Sequence, residues 1–165
     1  MPATTVRFAS PADLPAVARL RWRWVVEESG ATDAMSEDEF VPTFVAWAAD
    51  HADSHRCVVA ERDGAVIGMA WLTLTARVPS PRAPRRLSGD LQCVYVVPDA
   101  RDAGVGTRLV EAIVEEADML GGERVVVHSS ERAVPAFGRA GFASDERLRQ
   151  RRLCLVGAAR VVRDA

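Results

Sequence analysis

Apolar and polar positions alternate along the chain in a way that separates short strands from amphipathic helices. Alternating or β-branched runs predict strands at 5–9, 91–97 and 124–129. Apolar residues at helical spacing predict helices over 104–121 and 132–141. The second half of the chain is therefore expected to alternate between strand and helix.

Two more helices are predicted in the first 50 residues, each from its starting residues. The segment "SPAD", from Ser10, combines a cap residue, a first-turn proline and an acid, and an apolar stripe follows it. In "SEDEF", Ser36 and Glu39 form a capping box before a second apolar stripe. Pro42 is expected to kink or shift this second helix.

The middle of the chain predicts a hairpin followed by a long loop. Two β-rich runs flank Asp63-Gly64, a turn pair that favours antiparallel strands. The segment 77–89 carries three prolines and four arginines, which predicts an exposed loop. Residues 142–156 are expected to add one or two strands around a charged turn near Asp145. The order β-α-α-β-β-β-α-β-α-β-β predicts a single α/β (mixed α+β) domain over 1–165.

Composition excludes several classes of protein. The 165 residues are 48% hydrophobic and 27% charged with a net charge of -2, so neither disorder nor general attraction to nucleic acid is indicated. The apolar runs fall short of the ~20 residues that cross a bilayer. Three scattered cysteines without CxxC spacing favour reduced thiols and a cytoplasmic location. We expect no nucleic-acid partner, no membrane association and no metal.

The junction "ARDAGVGTRLVEAIV" joins a strand to a helix through two glycines, Gly104 and Gly106. Residues without a Cβ admit unusual dihedrals and close approach by a ligand, and the first amides of a helix carry partial positive charge. The junction is therefore either a tight turn or an anion site, to which Arg101 would add charge. The chain contains no lysine, which excludes a P-loop, and Leu109 stands where the dinucleotide fingerprint needs its third glycine.

The pattern Pro98-x-x-Arg101-x-x-Gly104-x-Gly106 after a β-branched strand resembles the pyrophosphate motif of the GNAT superfamily of acetyl-CoA-dependent N-acyltransferases. A second segment, "SERAVPAFGRAGF", resembles another motif of that family at Ala133, Gly141 and Phe142. The resemblance implies a central mixed, largely antiparallel sheet of six to seven strands with a splayed central pair, flanked by about four helices.

The resemblance also implies where acetyl-CoA would bind. The splayed strand would offer backbone groups to the pantetheine arm and the thioester, and the junction would hold the pyrophosphate. Ser130, at the family's asparagine position, would hydrogen-bond the pantetheine arm or a water, or would only cap the following helix. The cofactor-binding residues implied in this way are Val94, Tyr95, Val96, Arg101, Asp102, Ala103, Gly104, Val105, Gly106, Thr107 and Ser130.

The candidate catalytic residues are fewer than the candidate cofactor-binding residues. Some family members place a catalytic glutamate at the strand position of Asp90, which makes Asp90 the candidate base, directly or through a water. Strand alternation without a bulge would put 90, 92, 94 and 96 on one face and Tyr95 on the other, in the core. The alternatives are that Asp90 only caps a turn after Gly89, or that Glu27 or Glu28 is the base.

Phe137 is the main departure from the family, because a tyrosine that protonates the leaving thiolate is common there. Two functions follow. The first is an N-acetyltransferase that moves an acetyl group from acetyl-CoA to a primary amine of a small molecule or peptide. The second is a CoA-binding module with weak or lost catalysis.

The tryptophans could line the amine site or the core, and the arginine loop could attract an acidic partner or be solvated. A homodimer is compatible with the sequence.

Overall fold

The computed structural model describes residues 3–28, 30–32 and 34–151. In those ranges, one sheet of five strands has the order β1-β2-β3-β4-β5, with every neighbouring pair antiparallel except the parallel pair β4–β5. The strands are β1 (Thr5–Phe8), β2 (His55–Arg62), β3 (Ala65–Ala76), β4 (Leu87–Val96) and β5 (Gly122–Val127). The helices are α1 (Leu14–Arg23), α2 (Glu37–Asp50), α3 (Val105–Met119) and α4 (Val134–Arg139).

The predicted fold class is confirmed as a mixed, mostly antiparallel sheet with four flanking helices in the described ranges. The strand count is lower than the six to seven expected. Residues 142–151 form no strand, although a turn does follow Asp145, whose carbonyl accepts the Leu148 amide at 3.1 Å. The rest of the strand prediction, 152–156, lies outside the described residues.

Two predictions that depend on only a few neighbouring residues, the Asp63-Gly64 turn and the capping box of the second helix, are confirmed. Asp63 and Gly64 both have positive φ, 53° and 76°, as the tight turn between β2 and β3 requires. The capping box before α2 is formed, with the Glu39 carboxylate accepting from the Ser36 amide at 3.2 Å. Pro42 does not end α2, which continues through it as one helix.

The two faces of the sheet are buried by different helices. On one face, Leu109 and Ile113 of α3 are fully buried against Val58 and Leu72 of the sheet. On the other face, α1 and α2 cover a second cluster that includes Val17, Leu20, Val59, Met69, Trp71 and Tyr95. A residue of β4 therefore faces α3 or faces α1 and α2, depending on its position along the strand.

The arginine loop between β3 and β4 is attached to β5. Arg77 and Arg86 both pair with the Glu123 carboxylate, at 2.5 and 2.6 Å, and the Arg77 amide bonds the Arg86 carbonyl at 2.9 Å. Two of the four arginines of 77–89 thus have a structural role. No helix within the described ranges is long and apolar enough to cross a membrane.

A charged cluster ties β1 to the start of α1 and to β2. The Arg7 guanidinium contacts the Asp13 carboxylate at 2.7 Å and the Glu61 carboxylate at 2.6 Å. Hydrogen bonds from Arg7 and Ser10 hold the pKa of the Asp13 carboxyl well below its usual range. The cluster therefore couples folding to the ionisation of Asp13.

We predict that Asp13→Asn lowers the unfolding temperature at pH 7 and that this difference narrows in acid. The native pKa of Asp13 lies below its unfolded value of about 3.9, so the stabilisation is complete above that pH and is lost as the pH falls toward the native pKa. Thermal unfolding of both proteins at pH 7 and pH 3 measures it. Asp53→Asn, an exposed change, is the matched control; an Asp13 effect equal at both pH values would contradict the coupling.

Candidate functional site

A β-bulge in β4 determines the geometry of the candidate site. Trp71 of β3 pairs with Gln92 and Met69 pairs with Tyr95, so Cys93 and Val94 together lie opposite the single residue between. Cys93 has a φ of 52°, a conformation that is uncommon for a residue with a side chain. The bulge adds one residue to β4 and reverses the alternation beyond it.

The alternation predicted for β4 does not hold, because this bulge intervenes. Asp90 lies opposite Thr73 on the face that α1 and α2 cover, as does Gln92 opposite Trp71. Beyond the bulge, Val94 and Val96 pack on the α3 side, and Tyr95 is on the same face as Asp90. Tyr95 is nevertheless a core residue, as expected, with 6% of its surface exposed.

The end of β4 extends beyond its pairing with β5. Pairing between the two strands stops at Leu91 and Val127, where β5 ends. The Val97 amide bonds the Ile67 carbonyl of β3, so alternation turns the backbone groups of Val94 and Val96 away from β3, toward the opening. The backbone of Tyr95, by the same alternation, faces β3.

In the glycine junction, left-handed backbone conformations alternate with ordinary ones along the chain. Asp102 and Gly104 have positive φ values of 61° and 75°, and Gly104 is the N-terminal cap of α3. The first amides of α3, at Val105, Gly106 and Thr107, have no partner within the helix and carry its positive dipole end. The junction can therefore hold an anion through backbone groups.

A cavity of about 430 Å³ extends from this junction to α4. Its walls come from the end of β4, the first turns of α3 and one side of α4. Arg139 places a cation on the wall, a residue that the sequence analysis did not single out. The lining residues are Val94, Asp102, Gly104, Gly106, Thr107, Val110, Ala133, Ala136, Phe137, Arg139 and Ala140. We call this space the α3 cavity.

The other predicted cofactor residues do not line the α3 cavity; they are Tyr95, Val96, Arg101, Ala103, Val105 and Ser130. The Arg101 side chain is directed back to β4, where its Nε donates to the Val96 carbonyl at 2.8 Å and its guanidinium lies 5.5 Å from the Tyr95 ring. Ala103 is exposed in the junction. Ser130 is exposed at the start of a short 3-10 turn and its side chain makes no capping bond.

A second cavity, of about 330 Å³, lies on the opposite face of the β4 bulge. Aromatic side chains from α2 and Trp71 from β3 form its walls, and Gln92 and Cys93 of the bulge form its floor. Its lining residues are Arg21, Phe40, Thr43, Phe44, Trp47, His55, Trp71, Gln92 and Cys93. We call this space the aromatic pocket. Val94 lines the α3 cavity and Cys93 lines the aromatic pocket, so adjacent residues of one strand separate the two.

Asp90 is half-buried beside this boundary. Its carboxylate accepts a hydrogen bond from the Gln92 amide at 2.7 Å, which orients it on the face of the aromatic pocket. Opposite it on β3, the buried hydroxyl of Thr73 has no hydrogen-bond partner within the described part of the chain. The alternative base Glu27 is exposed and pairs with Arg23 at 3.4 Å.

Phe137 is buried in the wall of the α3 cavity, where its ring packs edge-on against Phe142 at 5.5 Å. The Phe137 ring therefore lines the cavity but brings no polar group to it. No group of three or more His, Cys, Asp or Glu suited to a metal ion occurs among the described residues.

Sequence reasoning missed Arg21, Gln92 and Arg139. The first two did leave a signal: Arg21 interrupts the apolar stripe of α1 at helical spacing, and Gln92 lies two residues from Asp90 on one strand. Arg139 had no distinguishing signal, because its place on the cavity depends on how α4 packs.

The structure resembles those of acetyltransferases. A predicted acetyltransferase from Clostridium acetobutylicum, solved with acetyl-CoA, superposes with a TM-score of 0.72 at 18% identity over 91% of this chain and 96% of its own. An acetyltransferase from Trypanosoma brucei superposes with a TM-score of 0.71 at 25% identity over 93% of this chain and 100% of its own.

Sequence comparisons agree. Glucosamine 6-phosphate N-acetyltransferase of Trypanosoma brucei brucei is 33% identical over 86 residues, which are 51% of this chain and 55% of that protein. The chain thus spans about half the length of the curated relative that it matches. The model of the acetyltransferase (GNAT) family matches residues 17–142. The chain belongs to the GNAT acetyltransferase family, which consists of acyl-CoA-dependent N-acyltransferases.

Proposed function

We propose that the protein is an N-acetyltransferase that moves an acetyl group from acetyl-CoA to a primary amine. The observation that carries this proposal is the pair of cavities that lie on opposite faces of β4 at its bulge. One cavity ends on a positively polarised helix terminus, as an anionic cofactor needs, and the other is separated from it by adjacent residues. Two reactants bound on opposite faces would meet through the opening beside β4, where β5 has ended.

The described residues fit acetyl-CoA. The turn from Asp102 to Gly104 and the amides of Val105 to Thr107 would hold the pyrophosphate, with Arg139 as a nearby cation. The backbone groups of Val94 and Val96 would hold the pantetheine arm in the opening that β5 leaves. Arg101 would act indirectly, since it fixes the end of β4 through the Val96 carbonyl.

When bound, acetyl-CoA supplies an acetyl group on a thioester, whose carbon–sulfur bond breaks as the new carbon–nitrogen bond forms, so that CoA leaves as the thiolate. The chain contributes positioning and charge. Backbone amides directed into the opening, such as that of Val94, can donate to an oxygen on which negative charge develops.

Asp90 is proposed as the proton acceptor. An alkylamine has a pKa of about 10 and is mostly protonated at neutral pH, so it must lose a proton before it attacks. The Asp90 carboxylate lies on the face of the aromatic pocket and is oriented by Gln92 at 2.7 Å. A water between Asp90 and the amine would extend its reach, and the unpartnered Thr73 hydroxyl opposite could hold that water.

The second candidate function is a CoA-binding module without efficient catalysis, and the observation that favours it is Phe137. This ring is at the wall of the α3 cavity and cannot protonate a leaving thiolate. A thiol pKa of about 8.5 makes a thiolate a tolerable leaving group at neutral pH, so the transferase remains the primary proposal. A cytoplasmic location and a homodimer stay predictions of the sequence.

We predict that Gly104→Ala weakens the binding of CoA about tenfold through the loss of the left-handed cap of α3. Gly121→Ala is the matched control. Both glycines have φ near +75°, and an added Cβ meets nothing within 4 Å at either. Each substitution should cost about 1 kcal/mol of stability through backbone strain. Only Gly104 lines the α3 cavity, so calorimetric titration with CoA should separate the two; equal affinities would contradict a cofactor site at the junction.

We predict that Asp90→Asn lowers kcat for amine acetylation by about 100-fold while CoA affinity is unchanged, as expected for loss of a general base. Asp99→Asn, at an exposed carboxylate on the turn after β4, is the control. Steady-state release of CoA measures both rates. Full activity of Asp90→Asn would show that another group takes the proton.

Phe137→Tyr separates the two candidate functions. If the wild-type protein lacks only the acid, the substitution should raise kcat about tenfold or more without changing CoA affinity, because the new hydroxyl would reach the α3 cavity. Wild-type turnover that is fast and unaffected by the substitution supports a thiolate leaving group. Binding of acetyl-CoA without turnover in either protein, across a broad panel of amines, would favour the binding module.

A further inference from the structure

The aromatic pocket is built from side chains that suit a flat apolar group. Phe44 is at its centre, 5.7 Å from Trp71 in an edge-to-face arrangement and 6.0 Å from Trp47. Phe40 lies 5.6 Å from Phe44, and Trp47 lies 5.8 Å from Trp71. Rings at these separations offer both faces and edges, so an aromatic group of a ligand can pack against them.

One cation lies at this pocket. The Arg21 guanidinium lines it and lies 4.9 Å from the Trp24 ring. Arg21 forms no ion pair with a carboxylate among residues 3–28, 30–32 and 34–151, whereas its neighbours Arg19 and Arg23 pair with Glu37 and Glu27. A half-buried arginine without such a partner is suited to the carboxylate of a ligand.

Opposite charges flank the floor of the pocket. Arg21 and Cys93 both line the pocket, and Asp90 lies on the same face of β4 as Cys93, three residues before it. Asp90 also bonds Gln92, the other residue of the floor. A positive and a negative group therefore lie on the pocket's side of β4 near the bulge.

Together, the aromatic rings, Arg21 and Asp90 match three parts of one small molecule. We propose that the acceptor is an α-amino acid with an aromatic side chain, whose carboxylate pairs with Arg21, whose amine lies by Asp90 and whose ring enters the aromatic pocket. The acetylation step of this proposal rests on the proposed transferase function, whereas recognition of the amino acid rests on the pocket alone. The product would be the N-acetyl amino acid, and CoA would leave as the thiolate when the carbon–sulfur bond breaks. The ammonium group would pass one proton to Asp90 before attack, and the second proton would go to the thiolate or to solvent.

The same pocket offers few hydrogen-bond partners to the hydroxyls of a hexosamine phosphate, the acceptor named for the Trypanosoma brucei brucei relative. Sugar hydroxyls buried against aromatic rings lose their hydrogen bonds to water, which costs binding free energy. The polar lining residues are few: Arg21, Thr43, His55 and Gln92. The volume of about 330 Å³ is at the lower end of the usual range for small-molecule sites and suits one amino acid.

Calorimetric titration of the CoA-saturated protein tests recognition without turnover. The probes are L-phenylalanine, phenethylamine without the carboxylate, 3-phenylpropionate without the amine, L-alanine without the ring, and D-glucosamine 6-phosphate. L-Phenylalanine should bind about tenfold or more tightly than each of the others, since each lacks one contact. Equal or tighter binding of any of these four other probes would overturn the proposal.

Variants assign the two contacts. Arg21→Gln should weaken L-phenylalanine about tenfold to a hundredfold and leave phenethylamine unchanged, whereas Arg19→Gln, the same charge change on the same helix, should alter neither. Trp47→Leu should weaken L-phenylalanine and leave L-alanine unchanged. Thermal unfolding monitors folding, and Arg21→Lys, which keeps the charge, should retain part of the affinity. A uniform loss for all probes would contradict a carboxylate contact at Arg21.

The two proposals fail in different ways. If L-phenylalanine binds in this pattern but no amine is acetylated, the transferase function is overturned and the recognition site stands. If glucosamine 6-phosphate is acetylated and L-phenylalanine neither binds nor reacts, the recognition site is overturned and the transferase function stands.

Discussion

The bulge at Cys93 is the constraint on which the rest of the site depends. One extra residue in β4 turns Val94 and Val96 toward α3 and leaves Asp90, Gln92 and Tyr95 on the face of α1 and α2. Without it, strand alternation would place Val94 and Val96 on the face of Asp90 and Gln92, and Tyr95 on the face of α3. The cost of holding Cys93 at positive φ is met by burial of the strand around it.

The bulge acts together with the early end of β5. Because β5 pairs with β4 only as far as Leu91, the backbone beyond the bulge faces an opening rather than a strand. The chain then turns through Asp102 and Gly104, so that α3 begins at the same opening. Leu109 and Ile113 bury α3 against the sheet and thereby keep its first amides at the cavity. Sheet geometry and helix packing thus bring the first amides of α3 to the cavity wall, in a chain that has no lysine.

The elements that could be predicted from the sequence are those whose cause is local. The capping box at Ser36 and the turn at Asp63-Gly64 each depend on two adjacent or nearby residues, and both form as expected. The strand predicted within 142–156 has no such local cause. Its described part, 142–151, does not pair with the sheet. Pro42 is accommodated within α2, although local rules disfavour it there.

The same division applies to function. The sequence by itself determined the family resemblance, the glycine junction and the candidacy of Asp90, because spacing along one strand and one helix start carries that information. Only the tertiary structure decided that Asp90 shares a face of β4 with Tyr95 and that the Arg101 side chain is directed to β4. It also decided that Arg21, Gln92 and the aromatic rings of α2 line one pocket. The physical reason is that no residue in "LQCVYVV" is of a type that predicts a bulge. In addition, α1, α2 and β4 contact one another only after the helices have packed on the sheet.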